Sequence, residues 1–229
     1  MRPLTDNLPK ALLPLSGQTL LDHALDRLTE AGVELVVVNA HWHRECLAVH
    51  LAARAAAGRG PRTVVRHEPV LLETGGGVRA ARDILGYDPF YVVNGDAFWL
   101  DGPRPALERL AIVFAAGEAD DVLLVHRACQ VRAEVGCGDF AVDALGAMRR
   151  RREREVVPYV YAGVHLLDPS LLDDAPDGSF SMNLIWDREI AARRLRAVVH
   201  DGLWFHLSSP ADLAEAEALL RERWPGGPR

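Results

Sequence analysis

The chain has 229 residues, 49% of them hydrophobic and 25% charged, and a net charge of −6. That length buries one sizeable core and leaves two independent domains cramped, so a single domain is expected over 1–229. The acidic balance argues against a role that rests on neutralising nucleic-acid phosphates, which calls for a basic face.

From Gln18 to Ala31, Leu20, Leu21, Ala24, Leu25, Leu28 and Ala31 fall on one stripe, the period of a helix lying on a core, and Gly32 ends it. LVVV at 35–38 has the character of a strand buried on both faces. Helical spacing returns over 44–57, followed by a strand at 63–67, a helix at 77–85, a strand at 90–93 and a helix at 105–116. Strands alternating with helices predict an α/β fold, a Rossmann-like and mostly parallel sheet flanked by helices, with ligands at the C-terminal strand ends. After Val125 the elements shorten to strands at 140–142, 159–167 and 195–199 with a helix at 184–194, which reads as a small appended β lobe. The division expected is therefore a nucleotide-binding part over 1–126 and a sugar-binding lobe with a C-terminal helix over 127–229. Ser209-Pro210 with Asp212 signals the start of that helix, and the closing PGGPR reads as disordered.

Three stretches can carry chemistry. VVNGDAFWL, 92–100, ends a buried strand in Asn-Gly-Asp, and an acid there suits Mg²⁺ carried by a phosphate substrate, although Asp96 could equally cap the next turn. LLETGGGVRAA, 71–81, opens a helix with three glycines, which either admit a ligand to the backbone or form a plain Gly-rich turn. PKALLP, 9–14, sets Lys10 between two prolines on a stiff segment, suited to a cation held toward a phosphate; against 25 arginines it is the only lysine. His41 and His43 in AHWHRE have no further metal ligand in evidence and read as loop packing, and RRRRERE at 149–155 reads as a solvated turn. Cys46, Cys129 and Cys137 form no CxxC pair, no nucleophile elbow occurs, and no apolar run approaches the roughly 20 residues that span a bilayer. A cytoplasmic protein with no membrane or nucleic-acid partner is expected.

Taken in order, MRPLTDNLPKALLPLSGQTLLDHAL, VVNAHW, LLETGGGV, VVNGD, GDF, YAGVHLL and WFHLSSPADLAEAEALL resemble the sugar-1-phosphate nucleotidyltransferase family over nearly the whole chain. The likeness runs to its muramate-uridylyl and mannose-guanylyl branches. It implies transfer of a nucleoside monophosphate from an NTP, with UTP the expected donor and cell-wall sugar recycling the expected setting, to a sugar 1-phosphate with release of pyrophosphate, by a monomer or homodimer. By resemblance Asp96 holds Mg²⁺, Lys10 contacts phosphate, Glu73, Thr74, Gly75 and Gly76 line the base and ribose pocket, and Asn94, Gly138 and Asp139 face the sugar.

Two departures from the family pattern stand out. Its members carry a strand and a Gly-rich, Arg-ending loop before the segment that is Met1 to Thr5 here, so a central strand and the triphosphate cradle are expected to be missing and this form to be unstable. Where the family has W-x-D-x-G-T, this chain has WFHLSSP, so His206 takes the place of the second metal-binding Asp; imidazole suits Mn²⁺ better than Mg²⁺. Both departures leave room for a non-catalytic nucleotide- or sugar-binding homologue. A dinucleotide-binding dehydrogenase domain fits poorly, because ETGGG falls after the third expected strand and no ribose-binding acid follows.

Overall fold

The computed structural model describes residues 1–131 and 136–223; the PGGPR tail lies outside the described residues. A 3₁₀ turn, Lys10–Leu12, leads into a short ladder of β1 (Pro14–Leu15) and β2 (Gln18–Thr19). Next comes α1 (Leu20–Glu30), whose start is capped by the Thr19 hydroxyl accepting the Asp22 N–H. The alternation continues with β3 (Leu35–Ala40), α2 (Arg44–Ala56), β4 (Arg62–His67), α3 (Glu73–Leu85), β5 (Phe90–Val93), β6 (Phe98–Leu100), α4 (Ala106–Ala115) and β7 (Asp121–Arg127). It closes with β8 (Phe140–Val142), β9 (Met148–Arg150), β10 (Tyr159–Leu167), α5 (Asn183–Ala191), β11 (Leu195–Val199), β12 (Leu203–Phe205) and α6 (Pro210–Arg223).

The central sheet has the order β11-β7-β10-β8-β9, with β5 also on β10. β5 and β7 both run antiparallel to β10, and β11 runs parallel to β7, so β5, β7 and β11 share one direction and β10 runs against them. The α/β class is as expected from the alternation, and the strands share a sheet across residue 126. One face buries Leu123, Val125, Phe140 and Leu167 beneath α3 and α5, through Val78, Ile185 and Trp186. The other buries Val122, Leu124, Ala162 and Val164 beneath α1 and α4, through Leu28, Leu107 and Leu110. Each buried Leu or Ile contributes about 1.5–3 kcal/mol.

α3 begins at Glu73, four residues ahead of the start that periodicity indicates. Close packing is the cause. The Gly76 N–H donates to the Phe180 carbonyl at 3.1 Å and the Phe180 N–H to that of Leu72 at 3.2 Å, while a Cβ on Gly75 would stand 2.5 Å from the Phe180 ring. Tertiary contact thus outweighs the weak helix preference of three glycines.

Among the described residues β3 and β4 pair parallel with each other alone, and β5 is bonded only to β10. The second edges of β3 and β5 carry no ladder among the described residues. In keeping with this, Leu35 to Val38 are half-buried rather than buried as LVVV suggests, because the strand has a neighbour on one side only. Hydrogen exchange should record the difference. Amides of β7, paired on both sides, are expected to exchange at least about a hundredfold more slowly than those of β3 and β5 that face the open edges; equal protection would contradict the open-edge topology.

Candidate active site

β5 delivers the chain into the turn Asn94–Ala97, closed by the Ala97 N–H on the Asn94 carbonyl at 2.9 Å. The turn is tied to β10 by the Asn94 N–H, which donates to the Gly163 carbonyl at 2.8 Å. β10 can accept it because its register against β7 shifts between Tyr161 and His165, which frees backbone groups there. Gly163 sits at φ +81° in the bulge, and a Cβ on it would meet those of Ala97 at 3.0 Å and Asn94 at 3.3 Å. Only glycine allows both the backbone conformation and the contact.

Lys10 approaches from the 3₁₀ turn, anchored by buried Leu12 and Leu13, and its Nζ donates to Asp96 Oδ2 at 2.6 Å. With both side chains partly exposed, this pair contributes at most about 1 kcal/mol to stability. Its consequence is positional: the lone lysine is held against the acid at the end of β5. The third wall is β12, antiparallel to β6 with Phe205 opposite Phe98. Extending that register by one residue puts His206 opposite Ala97, beside Asp96. Asn94, Asp96, Tyr161, Trp204 and His206 line the resulting cleft, which is open to solvent and spans about 450 Å³. Its back is fixed by the Trp204 Nε1–H donating to the Ala162 carbonyl at 2.9 Å.

Asn94, Asp96 and His206 therefore meet at one cleft, and Lys10, outside its lining, reaches it through the bond to Asp96. Glu73, Thr74, Gly75 and Gly76 lie outside its lining, at the start of α3. The two glycines are buried against Phe180 and Gly178, which gives them a packing reason, and Glu73 takes a φ of +55° at the first helical position. Gly138 and Asp139 are also outside the lining. Gly138, at φ +78°, packs on the Val157 carbonyl, and Asp139 Oδ2 accepts the Tyr161 N–H at 2.9 Å, so Asp139 braces the cleft from behind. His41 and His43 each bond a backbone carbonyl, of Glu68 and Asp6, in line with loop packing. Arg149 pairs with Glu155 across the exposed turn of the arginine run, whose first residues form β9, and that pairing draws the Glu155 carboxyl down to about 2. Tyr161 and Trp204 are cleft residues that motif reading missed. The signal for the first was available in YVYAGVHLL, where a glycine interrupts a β-rich run and marks a bulge.

The donor set fits a hard divalent cation. Mg²⁺ binds through one or two carboxylates completed by water and substrate phosphates, so Asp96 suffices without a protein cage. No cluster of three or more His, Cys, Asp or Glu suited to a metal occurs among the described residues. His206 adds a nitrogen donor, more congenial to Mn²⁺.

Residues 4–157 match the model of the MobA-like NTP transferase domain. The chain belongs to this NTP transferase family. It is 39% identical over 97% of its length to the N-acetylmuramate alpha-1-phosphate uridylyltransferase of Caulobacter vibrioides, covering 92% of that protein. It is 27% identical to the mannose-1-phosphate guanylyltransferase of Mycobacterium tuberculosis, over 96% of this chain and 61% of the relative. The fold superimposes on apo UDP-glucose pyrophosphorylase with a TM-score of 0.78 at 13% identity, covering 97% of this chain and 94% of that one. No helix among the described residues of this transferase is long and apolar enough to cross a membrane.

Two outcomes follow. Lys10→Met leaves Asp96 without its cation, so Mn²⁺ binding to the nucleotide-free protein, read by electron paramagnetic resonance, should tighten about two- to fivefold; unchanged affinity would show that Lys10 does not compete for the carboxylate. Behind Trp204, burial holds His126 and His200 below the histidine value of 6.5, His126 further through the charge of His200. Both are therefore neutral in the fold at pH values where the unfolded chain takes up protons, so their contribution is intact above about pH 6.5 and is lost as pH falls below it. Tm should drop between about pH 7 and pH 5; a flat profile would refute the sign.

Proposed function

We propose that the chain transfers a uridylyl group from UTP to N-acetylmuramate 1-phosphate and releases pyrophosphate, in the cytoplasm and with Mg²⁺ as cofactor. The observation that carries this reading is the 39% identity, spread over 97% of the chain, to a uridylyltransferase of that substrate, together with Lys10 and Asp96 paired at the cleft. A phosphate oxygen of the sugar 1-phosphate attacks the α-phosphorus of UTP; the new P–O bond forms as the bond to the β-phosphate breaks and pyrophosphate leaves. No side-chain nucleophile is needed, so the protein's work is to position two anions and offset their repulsion.

Asp96 would hold Mg²⁺ on its carboxylate, and Lys10, one bond away, would turn its ammonium to the phosphates. The bound cation supplies charge compensation for the two phosphate groups. Asn94, at the rim of the same turn, offers an amide to sugar hydroxyls. Glu73 and Thr74 are assigned to the base and ribose, on the strength of their exposure at the start of α3, Gly75 and Gly76 to the same pocket by family resemblance alone, and Gly138 and Asp139 to the sugar side, where Asp139 acts through the Tyr161 backbone. His206 is assigned to the metal directly or through a water.

Pyrophosphate release measured across a matrix of NTPs and sugar 1-phosphates tests the reading. UTP with N-acetylmuramate 1-phosphate should be the fastest pair, and Asp96→Asn should lower its turnover by about 10²–10³-fold with Tm nearly unchanged. Turnover only with GTP and mannose 1-phosphate would replace the uridylyl reading with a guanylyl one, and binding without turnover would replace it with a non-catalytic homologue. His206→Asp should raise the ratio of Mg²⁺- to Mn²⁺-supported turnover; an unchanged ratio would exclude His206 as a ligand.

A further inference from the structure

The transfer chemistry leaves unassigned the connection from β10 to α5, which packs on the first turn of α3. In a regular helix the Gly76 N–H and the Leu72 carbonyl, four residues apart, are partners. Here the Phe180 backbone reaches both: its carbonyl accepts the Gly76 N–H at 3.1 Å, and its N–H donates to the Leu72 carbonyl at 3.2 Å. Glu73 lies between those two bonds, and its φ of +55° is in the left-handed region that is costly for a residue with a side chain. Such a conformation persists only where its surroundings impose it, and the Phe180 bonds stand on either side of it.

The glycines of the run make this contact possible. A Cβ on Gly75 would stand 2.5 Å from the Phe180 ring, one on Gly76 would collide with the Gly178 carbonyl, and one on Gly77 would stand 2.8 Å from Asn39 Nδ2 on β3. Two ion pairs continue the seam along α3, Arg79 with Asp177 and Arg82 with Asp173, both at 2.5 Å. The first turn of α3 is therefore gripped from both sides, and Glu73 and Thr74 are its exposed residues. Their placement is set from the second half of the chain. β10, which holds the Asp96 turn through the Gly163 carbonyl, leads directly into the connection that carries Phe180.

We infer that Phe180 is a positioning residue for the nucleotide: its backbone wedges the first turn of α3 and fixes Glu73 in the conformation from which Glu73 and Thr74 meet the base and ribose. This rests on the reading under Proposed function, which assigns the base and ribose to those two residues, and deepens it by naming what sets their pocket. Phe180 acts through α3, without touching substrate. One strand and the connection after it then register the nucleotide pocket against the Asp96 turn, so that the α-phosphorus and the metal-binding carboxylate are aligned by the same element. A role in packing alone predicts something different, a lower Tm with ligand affinities unmoved.

The test compares two glycine variants in the full chain. Gly178 and Gly117 both take positive φ, +83° and +76°, and a Cβ on either meets open space. Gly178→Ala and Gly117→Ala therefore bring the same kind of backbone strain, the first to the Phe180 connection and the second to the turn after α4. The Kd of Gly178→Ala for UTP, read by calorimetry without sugar phosphate, should rise about three- to tenfold over that of Gly117→Ala, while KM for the sugar 1-phosphate stays within about twofold in both. In wild type, UTP should slow hydrogen exchange of the Phe180 amide at least about tenfold, and this readout decides alone should Gly178→Ala not fold. GTP takes the place of UTP as the probe if the release matrix selects it. Equal Kd values in the two folded variants, or a Phe180 amide whose exchange the nucleotide leaves unchanged, would make the contact one of packing and overturn the inference alone. A wild-type protein that binds neither UTP nor GTP would overturn the functional reading and this inference together.

Discussion

Three backbone groups of one bulge hold the cleft together. Where β10 loses register with β7, the Tyr161 N–H goes to Asp139, the Ala162 carbonyl takes the Trp204 indole and the Gly163 carbonyl takes the Asn94 N–H. A regular strand would spend these groups on its ladder. Because they are free, β10 can brace the second lobe through Asp139, the β12 wall through Trp204 and the Asp96 turn through Asn94. The bulge also needs a glycine, since a side chain at Gly163 would be both strained at φ +81° and crowded by Ala97 and Asn94. Such irregularities beside active sites re-aim neighbouring groups rather than weaken the sheet.

Around this brace the chemistry needs little. A single carboxylate at a strand end, an ammonium on a rigid turn and a cleft of mixed polarity can collect two phosphates and a divalent cation, and the reaction between them asks for alignment rather than a nucleophile. The tight Lys10–Asp96 pair keeps both charges satisfied until anions arrive, which costs the fold almost nothing because the pair is part-exposed. His206 lines the same cleft, in ring contact with Trp204 at 5.8 Å, where the family this chain resembles has the Asp of W-x-D-x-G-T.

Much of this was legible in the sequence, and the rest was hidden for physical reasons. Strands at 90–93, 140–142, 159–167 and 195–199 fall where β-branched and aromatic runs put them, and Asp96 and Lys10, each singled out by its own placement, turn out to be paired, which neither placement indicated. β7, although its first six residues are all buried, went unmarked because its leucine-rich VLLV, unlike the β-branched LVVV, is not told from a buried helix segment by periodicity alone. The start of α3 was displaced because glycine preference is local, whereas the Gly75–Phe180 and Gly76–Phe180 contacts span a hundred residues of chain. The paired roles of Asp139 and Tyr161 depend on a register shift, which no spacing in a single sequence encodes.

The most direct test of this account compares two glycines on the two sides of the cleft. A Cβ on Gly95 would make ordinary contact with Ala11 at 3.5 Å, whereas on Gly163 it would press into the Asp96 turn. Pyrophosphate-release turnover of Gly163→Ala should fall by at least about tenfold beyond that of Gly95→Ala, with a lowered Tm costing about 1–3 kcal/mol. Full turnover in Gly163→Ala would mean that the bulge does not set the position of Asp96, and the account built on it would fail.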